Sequence, residues 1–182
     1  MSREAILQAH SEQGGGGMVR EAPERLGCAL VSGASRGIGA ACARRLAQSG
    51  WVVGVNFRAN EALARETVAE IEREGGCALA LAGDVCEQGA VEEMFARMEA
   101  ACGPVLVLVN NAGVTDDALA VQLHDPEWER VIETNLGGAF RMTRRALRSM
   151  LRARFGRIVN IASLSAIRGV PGRPTMRPRR LG

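Results

Sequence analysis

Between residues 28 and 163, short apolar runs alternate with segments of helical period. That alternation constrains the fold more than any other feature. The runs are CALVS from Cys28, WVVGVN from Trp51, CALALAGDV from Cys77, VLVLVNNAG from Val105 and RIVNIAS from Arg157. Each has the length of a strand. Between them lie residues 37–49, 61–74 and 90–101, and a longer stretch from about Asp125 to Arg152. In the second helix Leu63, Val68 and Ile71 share one side. In the third, Val91, Phe95 and Met98 point inward. Asn60 stands where an N-cap belongs, and Gly75 with Gly76 ends the segment. The fourth run is apolar throughout, as a strand buried on both faces should be.

Strands joined by crossover-length helices pair in parallel with right-handed connections. The expected fold is α/β, a Rossmann-like doubly wound parallel sheet truncated after the fifth strand. Residues 1–24 are polar and interrupted by Gly14–Gly17, and read as a flexible extension. Residues 25–170 read as the nucleotide-binding domain. Residues 171–182, PGRPTMRPRRLG, hold four arginines, three prolines, no acid and no usable period, and read as an irregular tail.

Composition narrows the function classes. A net charge of +3 gives no global nucleic-acid signal. No apolar run approaches the ~20 residues of a membrane span, and the N-terminus lacks a signal-peptide core. Five cysteines without a CxxC pair suit a reducing, cytoplasmic setting. His10 and His124 stand alone, so no metal site is expected.

Ligands of doubly wound sheets bind at the carboxyl ends of the strands. After the first strand comes SGASRGIG, with Gly33, Gly37 and Gly39. Glycines there permit a tight turn and let backbone N–H groups approach a phosphate at a helix N-terminus. After the second strand comes NFRAN, without the acid that would hold a ribose 2′-OH. Arg58 lies in that loop and Arg36 in the glycine turn, which favours a 2′-phosphate and hence NADP(H). The residues alone leave Arg58 a second role, as a solvated surface charge. GDV, NNAGVTDD and SLSAIRG follow the third, fourth and fifth strands, and ETNLGGAF sits on the long helix.

SGASRGIG, GDV, NNAG, ETNL and GRIVNIAS, in that order, resemble the motif set of the short-chain dehydrogenases/reductases. The stretch from NNAGVTDDAL to GRIVNIAS most resembles the 3-oxoacyl-[acyl-carrier-protein] reductases, and is similar to acetoacetyl-CoA reductases. The resemblance covers residues 28 to about 172. It implies that Gly33, Ser35, Arg36, Gly37 and Ile38 wrap the cofactor phosphates. It implies that Asp84 and Val85 hold the adenine, and that Asn110, Ala112 and Gly113 line the ribose and nicotinamide side. It implies catalytic roles for Asn135, binding a water through a local break in its helix, and for Ser163, bonding the substrate carbonyl. Read without the resemblance, Asn110 and Asn111 also serve as caps of the fourth strand, and Asn135 as a polar residue on an exposed helix face.

The family places a tyrosine thirteen residues after the serine and a lysine four further on. Those positions are Met176 and Arg180, and the chain contains no Tyr and no Lys anywhere. Met has no proton to give, and the planar guanidinium of Arg is not a compact ammonium. One permitted set of codons for residues 171–182, read two bases later, gives Gly-Gln-Ala-Asn-Tyr-Ala-Ala-Ala-Lys-Ala-Gly. The tail therefore reads as out of frame. The resemblance implies NADPH-dependent reduction of a 3-oxoacyl thioester, with this chain inactive for want of its acid. Acetoacetyl-CoA or another short-chain carbonyl is an alternative substrate, and a non-catalytic NADP-binding module an alternative function. Arg141, Arg144, Arg145, Arg148 and Arg152 crowd one helix, which suits an acidic acyl carrier protein or a solvated face. Full-length family members are expected to form homo-oligomers. No nucleic-acid or membrane partner is expected.

Overall fold

A computed structural model describes residues 27–163, apart from 117 and 120. The expected extension over residues 1–24, the tail over 171–182, Met176 and Arg180 lie outside the described residues. Five strands form one sheet: β1 (Cys28–Val31), β2 (Val52–Phe57), β3 (Cys77–Ala82), β4 (Val105–Asn110) and β5 (Arg157–Asn160). All pairings are parallel, in the order β3-β2-β1-β4-β5. The order reverses at β1, so the switch point lies between β1 and β4. The helices are α1 (Gly37–Gln48), α2 (Glu61–Arg73), α3 (Gln88–Cys102), α4 (Asp125–Ile132) and α5 (Ala139–Ala153). No described helix is long and apolar enough to cross a membrane.

Successive strand residues point to opposite faces, so the sheet divides the core in two. Leu30, Leu81 and Leu108 pack with Val91, Phe95 and Met98 of α3 and with Met142, Ala146 and Met150 of α5. Ala29, Val31, Val53, Val55 and Val107 pack with Ala43 and Ala47 of α1 and Ala64 and Ile71 of α2. Gly54 in β2 has no alternative: a Cβ there would lie 2.7 Å from Leu30 and 2.8 Å from Leu81.

Element boundaries shift from the expected ones for local reasons. Asn60 does cap α2, its side chain accepting from the Leu63 N–H at 3.2 Å. The buried stripe of α2 is Ala64, Thr67 and Ile71, while Leu63 and Val68 are half-buried at its margins. β3 stops at Ala82 because Asp84 turns the chain, its carboxylate accepting from the Cys86 N–H at 2.9 Å. The expected long helix is divided by a π segment over Glu133–Gly138, between α4 and α5. Such insertions widen one turn and re-aim the residues on it.

The arginines of α5 are divided between pairing and solvent, Arg144, Arg148 and Arg152 being exposed. Arg145 donates through Nε to Glu92 at 2.7 Å and through both terminal nitrogens to Glu99 at 3.1 and 2.6 Å. Arg148 also reaches Glu92, and Arg144 reaches Gln88. Arg141 pairs with Glu133 of the π segment. Four of the five arginines thus tie α5 to α3 or to the π segment. Beside the exposed Arg144, Arg148 and Arg152, α5 also exposes apolar side chains: Leu147 and Leu151, with Phe140 and, from the π segment, Leu136.

Candidate functional site

The glycine turn between β1 and α1 is built by exclusion. Gly33 and Gly37 have φ of 60° and 58°, in the left-handed region that glycine adopts without strain. A Cβ on Gly39 would lie 2.5 Å from both Asn111 Nδ2 and the Gly33 carbonyl oxygen. Nothing lies within 4 Å of a Cβ built on Gly37, so the turn opens outward there. Arg36, the N-cap of α1, makes no side-chain cap bond, and the first turn carries no acid. The leading N–H groups of α1 and the positive end of its dipole therefore face a space that an anion would fill. Arg36 is exposed beside it, and Ile38 is 62% exposed at the mouth. Ser35 is held from behind, its carbonyl accepting from Thr67 Oγ1 at 3.3 Å.

The neighbouring loops close around this turn. Arg58 follows β2, exposed, with a guanidinium nitrogen 3.6 Å from the Asp84 carboxylate of the loop after β3. Two candidate residues from different loops thus come together at one end of the site. Val85 buries its side chain, and a Cβ on Gly138 of the π segment would come within 2.6 Å of it. After β4, Ala112 and Gly113 run past the glycine turn; a Cβ on Gly33 would lie 3.0 Å from Ala112 Cα. Asn110 turns its side chain inward, donating to Thr143 Oγ1 at 3.0 Å and Asn160 Oδ1 at 2.8 Å. Any ligand contact it makes is through the main chain.

Asn135 sits in the π segment and grips the loop after β4 twice. Its Oδ1 accepts from the Val114 N–H at 2.8 Å, and its Nδ2 donates to the Val114 carbonyl at 3.0 Å. The widened turn is what lets a helical side chain reach a loop backbone in this way. Ser163 is exposed, three residues past the end of β5. Asp116 pairs with Arg130 of α4, fixing the far end of the same loop.

Three residues to which the sequence assigned no ligand role organise the site. Ser32 Oγ accepts from the N–H groups of Asn111 and Ala112, each at 3.0 Å. Asn111 Nδ2 donates back to the carbonyls of Ser32 and Gly33, both at 3.0 Å. Asn56, 2% exposed at the end of β2, accepts from the Gly33 N–H at 3.1 Å and donates to the Gly83 carbonyl at 2.9 Å. The only available signal was their position at strand ends; their partners are remote in sequence.

The cradle of excluded Cβ positions, uncapped helix N–H groups and two exposed arginines fits a nicotinamide dinucleotide. Among the described residues, no His, Cys, Asp or Glu group is placed to hold a metal ion. Comparison with known proteins agrees with the geometry. The short chain dehydrogenase family model matches residues 27–175. The 3-oxoacyl-[acyl-carrier-protein] reductase FabG of Staphylococcus epidermidis is 41% identical over 144 residues, 79% of this chain and 59% of that protein. The 3-oxoacyl-[acyl-carrier-protein] reductase of Synechocystis is 40% identical, over 79% of this chain and 58% of its own length. Among solved structures, a putative gluconate dehydrogenase from Agrobacterium tumefaciens superposes with a TM-score of 0.77 at 36% identity, covering 84% of this chain and 61% of that one. The chain thus spans about three-fifths of the length of these relatives.

Proposed function

The chain belongs to the short-chain dehydrogenase family, and from that premise we propose that residues 27–163 form the NADP(H) site of a 3-oxoacyl thioester reductase. The observation that carries the nucleotide reading is the glycine turn, closed to any Cβ at Gly39 and open over Gly37, at the uncapped start of α1. There the α1 N–H groups would hold the pyrophosphate. Arg36 and Arg58 would hold the 2′-phosphate, in a loop that offers no acid to a free 2′-OH. Asp84 and Val85 would seat the adenine, and the main chain of Asn110, Ala112 and Gly113 the nicotinamide side. Bound there, the cofactor would supply a hydride to a carbonyl.

Ser163 would orient that carbonyl, and Asn135 would keep the loop after β4 and a water in register. The protein's own proton donor is missing from this reading. The family pattern places it at Met176, the first residue beyond the family-model match. The chain as it stands would therefore bind cofactor without appreciable turnover. The 3-oxoacyl thioester reading is supported by the two reductases at 40–41% identity. A substrate delivered on coenzyme A, or a small free carbonyl, is the second reading. The free-carbonyl form of it is supported by the putative gluconate dehydrogenase at 36% identity.

Fluorescence titration tests the cofactor reading. NADPH should bind at least about tenfold more tightly than NADH, and Arg36→Ala with Arg58→Ala should abolish most of that preference. Equal affinity for the two nucleotides, unaltered in the variant, would refute it.

A further inference from the structure

We propose that Asn56 is a positioning residue that locks the glycine turn and the Asp84 loop into one rigid unit. The names of those two walls rest on the NADP(H) reading above; the coupling itself does not.

The Asn56 side chain is buried, and its surroundings fix which way the carboxamide faces. On one side there is a single donor, the Gly33 N–H, 3.1 Å from Oδ1. On the other there are only acceptors: the carbonyls of Gly83 at 2.9 Å and Leu81 at 3.2 Å, and the Met94 sulfur at 2.8 Å. An amide flipped by 180° would oppose donor to donor and oxygen to oxygen. The main chain repeats the linkage on both sides. The Asn56 carbonyl accepts from Ala34 N–H at 2.7 Å, and the Phe57 carbonyl accepts from Gly83 N–H at 2.9 Å. One residue at the end of β2 therefore holds the first loop of the site on its left and the third on its right.

This arrangement has a chemical cost that a purely structural residue would avoid. A buried amide in a largely apolar sheet must satisfy its polar atoms or destabilise the fold. It is retained where both loops must keep a fixed separation, as they must if one holds pyrophosphate and the other adenine. Ser32 and Asn111 make the corresponding link between the glycine turn and the loop after β4, and Asn135 extends it to the π segment. Among the described residues, Asn56 is the member of this series that supplies a side-chain donor to Leu81 and Gly83, beside the main-chain bond from Gly83 to Phe57.

Two substitutions separate the halves of the link. Asn56→Asp keeps an acceptor for Gly33 but loses the donor to Gly83. Asn56→Ala loses both. Amide hydrogen exchange of the 182-residue chain should show the Gly83, Cys86 and Glu87 amides opening about tenfold faster in Asn56→Asp while those of Gly33 and Ala34 stay protected. In Asn56→Ala both segments should open, with β1 and β4 unchanged. Exchange in only one segment of Asn56→Ala, or acceleration spread evenly over the sheet, would overturn the proposal. NADPH titration of the same variants reads the cofactor separately. If the wild-type chain fails to bind NADPH while the exchange pattern holds, the nucleotide reading falls and the coupling stands. If NADPH binds Asn56→Ala as tightly as wild type, the positioning role falls.

Discussion

Replacing Arg145 with Met tests the ion clasp between α3 and α5. The Arg145 side chain is 11% exposed and Glu99 25% exposed, and their fork-on-fork bonds measure 3.1 and 2.6 Å. The guanidinium also lies 4.9 Å from the Phe95 ring centroid. Removing one partner of a fully buried pair costs about 3–5 kcal/mol, and of an exposed pair about 0–1 kcal/mol. This pair lies between, so Arg145→Met should cost about 2 kcal/mol near neutral pH, most of it from the stranded Glu99. Pairing it with Glu99→Gln should recover about 1 kcal/mol as a coupling energy. The pH dependence carries a sign. Burial pushes the Glu99 carboxyl up, but bonds from Arg145 and Ser149 and the charges of Arg145 and Arg152 outweigh it and hold the group below its ordinary value. A depressed carboxylate stabilises the fold above its unfolded pKa, and that stability is lost as pH falls through the folded pKa. In Arg145→Met burial remains while the bond and charge of Arg145 are gone and only Ser149 and Arg152 still oppose it, so acid should relieve the variant. Urea denaturation at pH 7 and pH 4 checks this. A gap between wild type and Arg145→Met that fails to narrow in acid would refute the electrostatic account and leave lost packing on Phe95 as the cause.

Other outcomes follow from the same observations. The chain should show no appreciable NADPH-dependent reduction of acetoacetyl thioesters, since loss of a general acid alone costs about 10²–10⁴-fold; robust turnover in a spectrophotometric assay would contradict this. The nucleotide sequence of codons 174–180 should read, two bases on, as Asn-Tyr-Ala-Ala-Ala-Lys, and a Pro174 codon without a third-position A would exclude it. Leu147 and Leu151 are 40% and 73% exposed on one face of α5 with Phe140. Replacing both leucines with Glu should shift sedimentation toward monomer, whereas an unchanged distribution would show that this face does not drive association.

Periodicity was enough to place the strands and helices, because strand and helix periods differ and Asn60, Gly75 and Gly76 punctuate α2 by local chemistry. It misjudged Leu63, since the helical stripe is centred on Ala64, Thr67 and Ile71, and small or polar residues are quiet in a hydrophobic pattern. The glycine turn was legible because its requirement is local. Asn56 was not: its partners Gly33 and Gly83 stand 23 and 27 positions away, and nothing nearby in sequence marks a carboxamide as shared between them. The clasp made by Arg145 was hidden for the same reason. Its acids Glu92 and Glu99 lie on α3, 53 and 46 positions earlier, so nothing local distinguishes it from the exposed Arg144, Arg148 and Arg152. The π segment was legible only through resemblance, because ETNLGG has no spacing that ordinary helical period would exclude.

Among the described residues, a set of side-chain bonds ties the loops of the nucleotide site together. Ser32 and Asn111 join the first and fourth loops, Asn56 the first and third, and Asn135 the fourth to the π segment. The proposed proton donor belongs to a different part of the chain, reached only past β5. On the proposed reading, in which these loops hold the cofactor and the proton donor belongs at position 176, cofactor affinity and turnover should be separable. On this argument Arg36→Ala, Arg58→Ala and the Asn56 variants move NADPH affinity, while substitutions at Met176 leave it unchanged. If Met176→Tyr alone altered NADPH affinity by tenfold or more, the site could not be confined to the four loops and the π segment, and the separation of binding from chemistry would fail.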